Sequence, residues 1–306
     1  MTKLIECVPN FSEGRNSAVV DEIASAVRDS RGVLFLGSEM DADHNRSVLT
    51  FVGTPDEVVE AAFRACRKAS ELIDMNRHRG EHPRIGATDV IPLIPISGIA
   101  MEECIELSRG LAEKIAVELH IPTYLYEKSA TRPERKNLSD IRKGEYEGLR
   151  ESIATEERKP DYGEPILHPT AGATVVGARP LLVAYNVYLA TEDVACAKRI
   201  AKKIRERDGG MPGVKALGFF IEKRRMAQVS MNLTDLSRTT PVKVFDRISE
   251  EAAREGVAVA GSEVVGMLPV SAMAEAAEQR LKLLDFDRNQ IMEGKLLDLL
   301  LERLVE

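Results

Sequence analysis

The order of strands and helices in the second half of the chain constrains its fold more than any other feature. Hydrophobic periodicity there predicts a strand, a helix, a pair of strands, a second helix and a last strand. The predicted elements cover residues 181–189, 194–207, 214–221, 226–233, 241–254 and 257–265. This βαββαβ order is typical of the ferredoxin-like fold, in which two helices cover one face of an antiparallel sheet. It differs from the order expected for a Rossmann fold.

The first half of the chain begins with the same order. Its pattern predicts a strand, a helix, a hairpin of two strands, a long helix and an extended segment, at residues 4–8, 16–28, 33–36, 47–52, 54–75 and 90–96. Thr54, Pro55 and Glu57 give the long helix an N-cap, a first-turn proline and a capping-box glutamate. A helix at 101–119 and a strand at 123–126 follow.

The length of the chain and the repeated order predict two domains. At 306 residues the chain exceeds a typical domain of roughly 100–200 residues. We predict an α+β fold of two ferredoxin-like α/β sandwich subdomains, a duplicated architecture, at residues 1–179 and 180–306. Residues 128–170 are polar and charge-dense, which predicts a connector with two short helices that also carries function. Closing helices at 272–284 and 290–304 carry leucines at the spacing of a packing or dimer face.

Composition and charge exclude several classes of protein. The net charge of −7 gives no general attraction to nucleic acid or acidic membranes. The four cysteines are dispersed, which predicts buried free thiols instead of a zinc site or a disulfide framework. No stretch approaches the roughly 20 uncharged residues that span a bilayer, and residues 1–20 lack the apolar core of a signal peptide. We therefore expect a cytoplasmic protein that binds neither nucleic acid nor membrane.

The segment at residues 76–84, with two histidines and three arginines, is the main candidate for chemistry. His78 and His82 match the H-x-x-E-H zinc-peptidase pattern, which needs both histidines on a regular helix. Gly80 and Pro83 disfavour such a helix and the arginines repel a dication, so no metal is expected. An irregular loop lets His82 carry protons near neutral pH, with the neighbouring glutamate or another carboxylate orienting its ring. Composition alone favours a solvated basic loop.

The stretch between two predicted strands at residues 41–47 combines turn formers with titratable groups. One interpretation is a hairpin turn capped by Asp and Asn side chains. The other is a ligand site in which Arg46 holds a carboxylate bidentately. Alternatively, Glu39, Asp41 or Asp43 stabilises a cation there.

Residues 172–179 contain two glycines at the spacing of a phosphate-binding loop. No Lys-Ser or Lys-Thr follows the second glycine, so a nucleotide site is not expected. The segment is predicted to be a glycine-lined loop that a flat ligand approaches, or a hinge between domains. Cys7 is expected to be a buried strand thiol and not a nucleophile.

Several motifs in order resemble the glutamate formiminotransferase family, the amino-terminal part of the vertebrate bifunctional formiminotransferase-cyclodeaminase. The similar segments are residues 6–14, 45–46, 50–53, 72–75, 80–84, 172–174, 177–179 and 228–233. Together they cover nearly the whole chain, so their combination is far more specific than any single motif. The resemblance implies two stacked α/β subdomains that form a homodimer.

The resemblance also implies an activity: transfer of the formimino group from N-formimino-L-glutamate to N5 of tetrahydrofolate, in histidine degradation. The family's catalytic histidine corresponds to His82, which is expected to move protons from N5 to the departing glutamate nitrogen. Arg46, Arg84 or Arg179 is expected to clamp the glutamate carboxylates. An acidic side chain, Asp43 among the candidates, is expected to stabilise the protonated formimino group. The folate-binding segment corresponds to Gly163, Glu164, Pro165, Ile166, Leu167, His168, Pro169, Thr170, Ala171 and Gly172.

The expected partners are small molecules, namely formiminoglutamate and the co-substrate tetrahydrofolate. Nothing resembling the cyclodeaminase follows residue 306 of this sequence, so channelling is expected to need a separate cyclodeaminase. The vertebrate enzymes differ in carrying an aromatic residue at the position of Ala171 and an aspartate at that of Glu39. Two alternatives stay open: a formyltransferase that uses N-formylglutamate, and a non-catalytic folate-binding protein.

Overall fold

A computed structural model of the chain describes residues 3–281, 283 and 291. The chain divides into two compact units, Met1–Arg179 and Pro180–Glu306. Each unit has its own sheet with helices packed on it, which confirms a mixed α and β fold. Within the described residues, no helix combines the length and the apolar character needed to cross a membrane.

Unit 1 contains the elements that position the candidate site. Its strands are β1 (Leu4–Cys7), β2 (Asn10–Phe11), β3 (Val33–Asp41), β4 (Arg46–Gly53), β5 (Thr88–Ser97), β6 (Thr123–Leu125) and β7 (Thr174–Ala178). Its helices are α1 (Ser17–Arg28), α2 (Pro55–Leu72), α3 (Met101–Glu118), α4 (Leu138–Ile141) and α5 (Glu145–Ser152). All the elements predicted for this half are present, whereas β2 and β7 were not predicted.

The sheet of unit 1 is mixed. The strands run in the order β3-β4-β1-β5-β7-β6, and the short β2 continues β1 between β4 and β5. The β5–β7 and β6–β7 pairs are parallel, and the others are antiparallel. Alternate residues of β4 are buried, as one covered face requires, and α1, α2 and α3 pack on that face.

Strand β7 replaces the glycine-lined loop or hinge predicted for residues 172–179. All five of its residues are buried, as is typical of a parallel strand covered on both faces, and such a short run gives little periodicity. Gly177 is required by the backbone, because a Cβ atom there would lie 2.4 Å from the carbonyl oxygen of Tyr126. The close approach at this glycine is therefore made by the protein's own chain and not by a ligand.

The start of α2 also differs from its prediction. Thr54 occupies the N-cap position and Pro55 the first turn, as predicted. The Thr54 hydroxyl, however, donates to Oε2 of Glu57 at 2.7 Å and caps no backbone N–H. The predicted capping box is therefore absent, because the two side chains bond to each other.

Unit 2 follows the order βαββαβ and then adds a helix. Its elements are β8 (Val183–Leu189), α6 (Val194–Ile204), β9 (Val214–Ile221), β10 (Met226–Leu233), α7 (Pro241–Arg254), β11 (Val259–Val265) and α8 (Val270–Leu281). The sheet order is β11-β8-β10-β9, with every pair antiparallel. The predicted helix at 290–304 lies outside the described residues, apart from residue 291.

Candidate active site

His82 lies in the connection between α2 and β5, which has no helix or strand, so the predicted irregular loop is confirmed. Backbone hydrogen bonds fix the end of this loop. The amide of Ala87 donates to the carbonyl of Ala171 at 2.8 Å, and the amide of Ala173 donates to the carbonyl of Ile85 at 3.0 Å. The end of the folate-binding segment predicted from the resemblance thus packs directly against the loop that carries His82.

Gly86 allows this close packing. A Cβ atom there would lie 2.0 Å from the carbonyl oxygen of Ala173. We expect Gly86→Ala to lower the free energy of unfolding by about 1–3 kcal/mol, measured by urea denaturation, because the backbones must separate. Gly110→Ala is the control, because a Cβ atom in that position of α3 meets nothing within 4 Å. An equal loss in both variants would contradict the packing argument.

The imidazole of His82 lies beside the guanidinium of Arg46. His82 is half-buried, and its Nε2 atom is 3.4 Å from Nη1 of Arg46. The same Nη1 lies 3.5 Å from Oδ1 of Asn10. Arg46 begins β4 and Asn10 begins β2, and the pairing of these strands brings the two side chains together. Because a guanidinium only donates hydrogen bonds, the contact favours a neutral His82 ring with its proton on Nδ1.

Arg46 lacks a partner that matches its charge. Its Nε atom is buried without a hydrogen bond, and no ion pair between the described residues involves its guanidinium. Burial, followed by the charge of Arg142, lowers the pKa of Arg46. An unpaired, half-buried guanidinium is suited to binding a carboxylate through two parallel hydrogen bonds.

The surroundings of His82 oppose its protonation. Burial, followed by the charges of Arg142 and Arg46 and then by His44 and His78, lowers the pKa of His82 to about 2. The direction is opposite to the near-neutral pKa expected from the sequence, because burial and neighbouring cations act on the ring where a carboxylate was expected.

We expect this low pKa to make the protein sensitive to acid. In the unfolded chain His82 binds a proton below its ordinary pKa of 6.5, whereas in the folded protein it does so only near pH 2. The contribution to stability is therefore present above pH 6.5 and is lost as the pH falls, by at most about 1.4 kcal/mol per pH unit. The free energy of unfolding, measured in urea between pH 7.5 and 5, should fall less steeply with decreasing pH in His82→Gln than in wild type. The exposed His120→Asn should keep the slope of the wild type.

The carboxylates expected beside His82 have other roles. Glu81 is exposed, and only its amide bonds nearby, to the carbonyl of Asp43 at 3.4 Å. Asp41 accepts from the amides of Asp43 and His44 and lies 2.7 Å from Nδ1 of His44. The residues at 41–47 thus form the capped hairpin turn of the first interpretation, and the side chain of Asp43 is exposed at its tip.

His78 and Arg84 support the loop from within. Nε2 of His78 is 2.9 Å from the carbonyl oxygen of Asn45, and its Nδ1 accepts from Nε of Arg84 at 3.1 Å. Arg84 is buried and also bonds the carboxylates of Glu145 and Glu147 on α5. The guanidinium of Arg84, predicted to bind substrate, is thus engaged by side chains of its own unit.

Arg179 and the segment predicted to bind folate, residues 163–172, also lie in unit 1. The half-buried Arg179 follows β7, and its charge acts on Glu6 and Tyr126. Ala171 is buried in the core, so its side chain is not available to a ligand, and its amide donates to Nδ1 of His168 at 3.0 Å. Residues 163–170 are exposed or half-buried, and the side chain of Ile166 is 70% exposed. Only this first part of the segment presents side chains to solvent.

Two further residues at the site were not predicted from the sequence. Asp89, at the start of β5, accepts from the amide of Ile85 at 2.9 Å and from Nε of Arg142 at 3.0 Å. Arg142, at the end of α4, is the strongest of the cations that act on His82. No motif or spacing identifies this pair, since 53 residues separate its members.

The cysteines and the pair His78 and His82 were also candidate sites of other chemistry in the sequence. All four cysteines are buried and free, as predicted, and burial raises the pKa of Cys7 well above its ordinary value. Within the part of the chain that the structure describes, no three His, Cys, Asp or Glu side chains converge as metal ligands would.

Comparisons with known proteins identify the family. Residues 4–179 match the family model described as "Formiminotransferase domain, N-terminal subdomain", and residues 184–304 match "Formiminotransferase domain". The chain belongs to the formiminotransferase family. The formiminotransferase domains thus account for nearly all of its length.

Relatives in this formiminotransferase family are similar over almost the whole chain. "Glutamate formimidoyltransferase" of Streptococcus pyogenes serotype M1 is 50% identical over 298 residues, which cover 97% of this chain and 100% of that protein. The protein of the same name from Thermoplasma acidophilum is 46% identical, over 96% of this chain and 97% of that protein. "Formimidoyltransferase-cyclodeaminase" of Mus musculus is 44% identical, over 90% of this chain but only 52% of that protein.

Proposed function

We propose that this protein is a glutamate formimidoyltransferase, which transfers the formimino group of N-formimino-L-glutamate to N5 of tetrahydrofolate and releases L-glutamate and 5-formiminotetrahydrofolate. The observation that carries the proposal is the contact between a neutral His82 and the unpaired guanidinium of Arg46. It places a proton acceptor beside a carboxylate-binding group, and the reaction needs both. The relatives named glutamate formimidoyltransferase support the same activity.

His82 is proposed to move the proton that the reaction displaces. As the bond from N5 to the formimino carbon forms, Nε2 of His82 accepts the proton that leaves N5. The same ring returns this proton to the glutamate nitrogen while the bond from that nitrogen to the carbon breaks. The proton count balances, because one N–H bond is lost at N5 and one is gained at glutamate.

Donor binding is proposed to give His82 the basicity that it lacks without ligand. Burial, followed by the charges of Arg142 and Arg46, keeps the pKa of His82 low. A donor carboxylate bound at Arg46 neutralises part of this charge, so the pKa of His82 rises when the donor is in place. His82 then becomes an effective base only in the complex that needs one.

Tetrahydrofolate is proposed to bind along residues 163–172. The exposed side chain of Ile166 offers an apolar surface to a flat ring, and the polar groups of residues 163–170 face solvent. Ala171 and Gly172 contribute through backbone packing on the His82 loop, because the side chain of Ala171 is buried. The segment thereby connects folate binding to the position of the catalytic loop.

Both units are proposed to be ferredoxin-like modules of a duplicated architecture. In unit 1 the four strands of the βαββαβ pattern are β1, β3, β4 and β5. They lie in the sheet in the order β3-β4-β1-β5, so the second and third strands of the pattern come before the first and fourth. The strands β8, β9, β10 and β11 of unit 2 follow the same order. We also propose a cytoplasmic homodimer, as the family resemblance implies, together with a separate cyclodeaminase that uses the product. Light scattering of the purified protein tests the dimer.

The activity is tested by mixing the protein with tetrahydrofolate and either N-formimino-L-glutamate or N-formyl-L-glutamate, and following the folate product by absorbance. We expect turnover with the formimino donor. Faster turnover with the formyl donor would reassign the substrate. If neither donor reacts while tetrahydrofolate still binds, the proposal fails and a folate-binding protein is left.

A further inference from the structure

An ion pair next to His82 holds a second guanidinium at the site. Nε and Nη2 of Arg142 both donate to Oδ2 of Asp89, the first at 3.0 Å. Asp89 is 1% exposed and the Arg142 side chain 13% exposed, so the pair is almost completely removed from water. Oδ1 of Asp89 also accepts from the amide of Ile85, which ties the ion pair to the His82 loop.

The guanidinium of Arg142 keeps one side uncommitted. No described residue forms a hydrogen bond with its Nη1, whereas both other nitrogens bind Asp89. Its charge acts on two groups of the site, His82 and Arg46. A guanidinium that is held by a buried carboxylate and keeps one nitrogen free of protein hydrogen bonds resembles an anion-binding group and not a simple structural bridge.

Two guanidinium groups, those of Arg46 and Arg142, act on one another near His82. Asp89, a buried carboxylate that also acts on Arg46, is engaged by Arg142. Arg46 has no ion-pair partner among the described residues, and Asp41 and Glu39 act on it only from a distance. Holding two like charges together out of water is unfavourable unless an anion joins them. An anionic ligand that contacts both guanidinium groups would therefore be favoured.

We propose that Arg142 binds one carboxylate of the donor while Arg46 binds the other, and that Asp89 is the positioning residue that aims Arg142. The inference rests on the proposed function, in which the donor is a dicarboxylic amino acid. Two separate guanidinium groups select a ligand with two carboxylates over one with a single carboxylate. The specificity for a glutamate derivative would then come from the Arg46–Arg142 pair.

The first test measures binding, so that it does not depend on turnover. L-glutamate, the expected product, and L-glutamine, which lacks the side-chain carboxylate, are titrated into the protein in a calorimeter. We expect wild type to bind glutamate more tightly than glutamine. Arg142→Gln should bind glutamate about 10- to 100-fold more weakly, because it loses a hydrogen bond between charged groups. Arg142→Lys should restore part of the affinity because it keeps the charge. Unchanged glutamate affinity in Arg142→Gln would overturn the proposal.

A second buried ion pair in the same connector provides a matched control. Arg135 and Asp161 are 4% and 8% exposed, and Asp161 also accepts from a backbone amide, that of Leu125. This pair packs on the ring of Tyr124 instead of acting on His82. Asp89→Asn should raise KM for the donor about 10-fold with a smaller change in kcat, whereas Asp161→Asn should change Tm without changing KM. Equal effects on KM in both variants would show that Asp89 only stabilises the connector.

The titration of His82 gives an independent readout. The groups whose charges act on its ring are Arg142, Arg46, His44 and His78, and Arg46 contacts the ring directly. In ring-labelled protein, NMR should show His82 titrating at a higher pH in Arg142→Gln than in wild type, and glutamate should shift the wild type in the same direction. No difference between Arg142→Gln and wild type would show that the guanidinium does not face the ring. If the binding results hold but no donor turns over, the proposed function fails while the dicarboxylate site stands.

Discussion

Replacing His82 by alanine is expected to lower kcat for formimino transfer by about 10²- to 10⁴-fold, the range that a positioned acid–base group contributes. The reason is that no other described side chain in contact with Arg46 can both accept and return a proton. Asn10, the other neighbour of that guanidinium, carries an amide that does not titrate. The measurement is the initial rate at saturating donor and tetrahydrofolate, with folding checked by circular dichroism.

A proton-carrying role can be separated from a structural one by chemical rescue. Imidazole added to His82→Ala should restore part of the rate, because the small molecule can occupy the space of the missing ring. It should not raise the rate of Gly86→Ala, in which the loop is expected to shift but the ring of His82 is still present. Wild-type kcat in His82→Ala would leave the family assignment intact and refute the catalytic role.

The fold was largely predictable because its signals are local. The helices α6 and α7 and the hairpin β9–β10 follow the periodicity of buried residues, and the hairpin ends match the prediction. Strand β7 was missed because its five residues are buried on both faces, so the pattern that separates strand from loop does not alternate. Its partners β5 and β6 are distant from it in sequence, and only the assembled sheet shows that a strand lies between them.

The candidate site was less predictable, because it depends on contacts between distant segments. Arg46 and His82 were both named from their motifs, and their 3.4 Å contact joins residues that are 36 positions apart. Arg84 has the same positive charge as Arg46 and lies in the loop that carries His82, yet its guanidinium is paired with carboxylates of α5. Arg142 has no motif around it, and its role emerges only from its contact with Asp89. The sequence thus identified which residue types could act at the site. The assignment of each arginine depends on the group that it contacts in the folded unit.

The second large effect is expected for Arg46→Met, which keeps the apolar stem of the side chain and removes its charge. Loss of this guanidinium should raise KM for the donor about 30-fold or more, equivalent to about 2 kcal/mol, because a carboxylate would be left desolvated without its partner. Arg46→Lys should recover little, since an ammonium cannot replace a bidentate fork.

The Arg46 variant also separates the two roles that its position combines. Without this cation the pKa of His82 should rise, so the protein without donor should lose less stability on acidification than wild type. KM for tetrahydrofolate should stay within about 2-fold, because the arginine is assigned to the donor alone. Arg77→Met, at a residue of the same loop whose side chain is 89% exposed, serves as the control and should change neither constant. A rise in KM for tetrahydrofolate equal to that for the donor would show that Arg46 shapes the whole site, and the assignment of a donor carboxylate to it would have to be withdrawn.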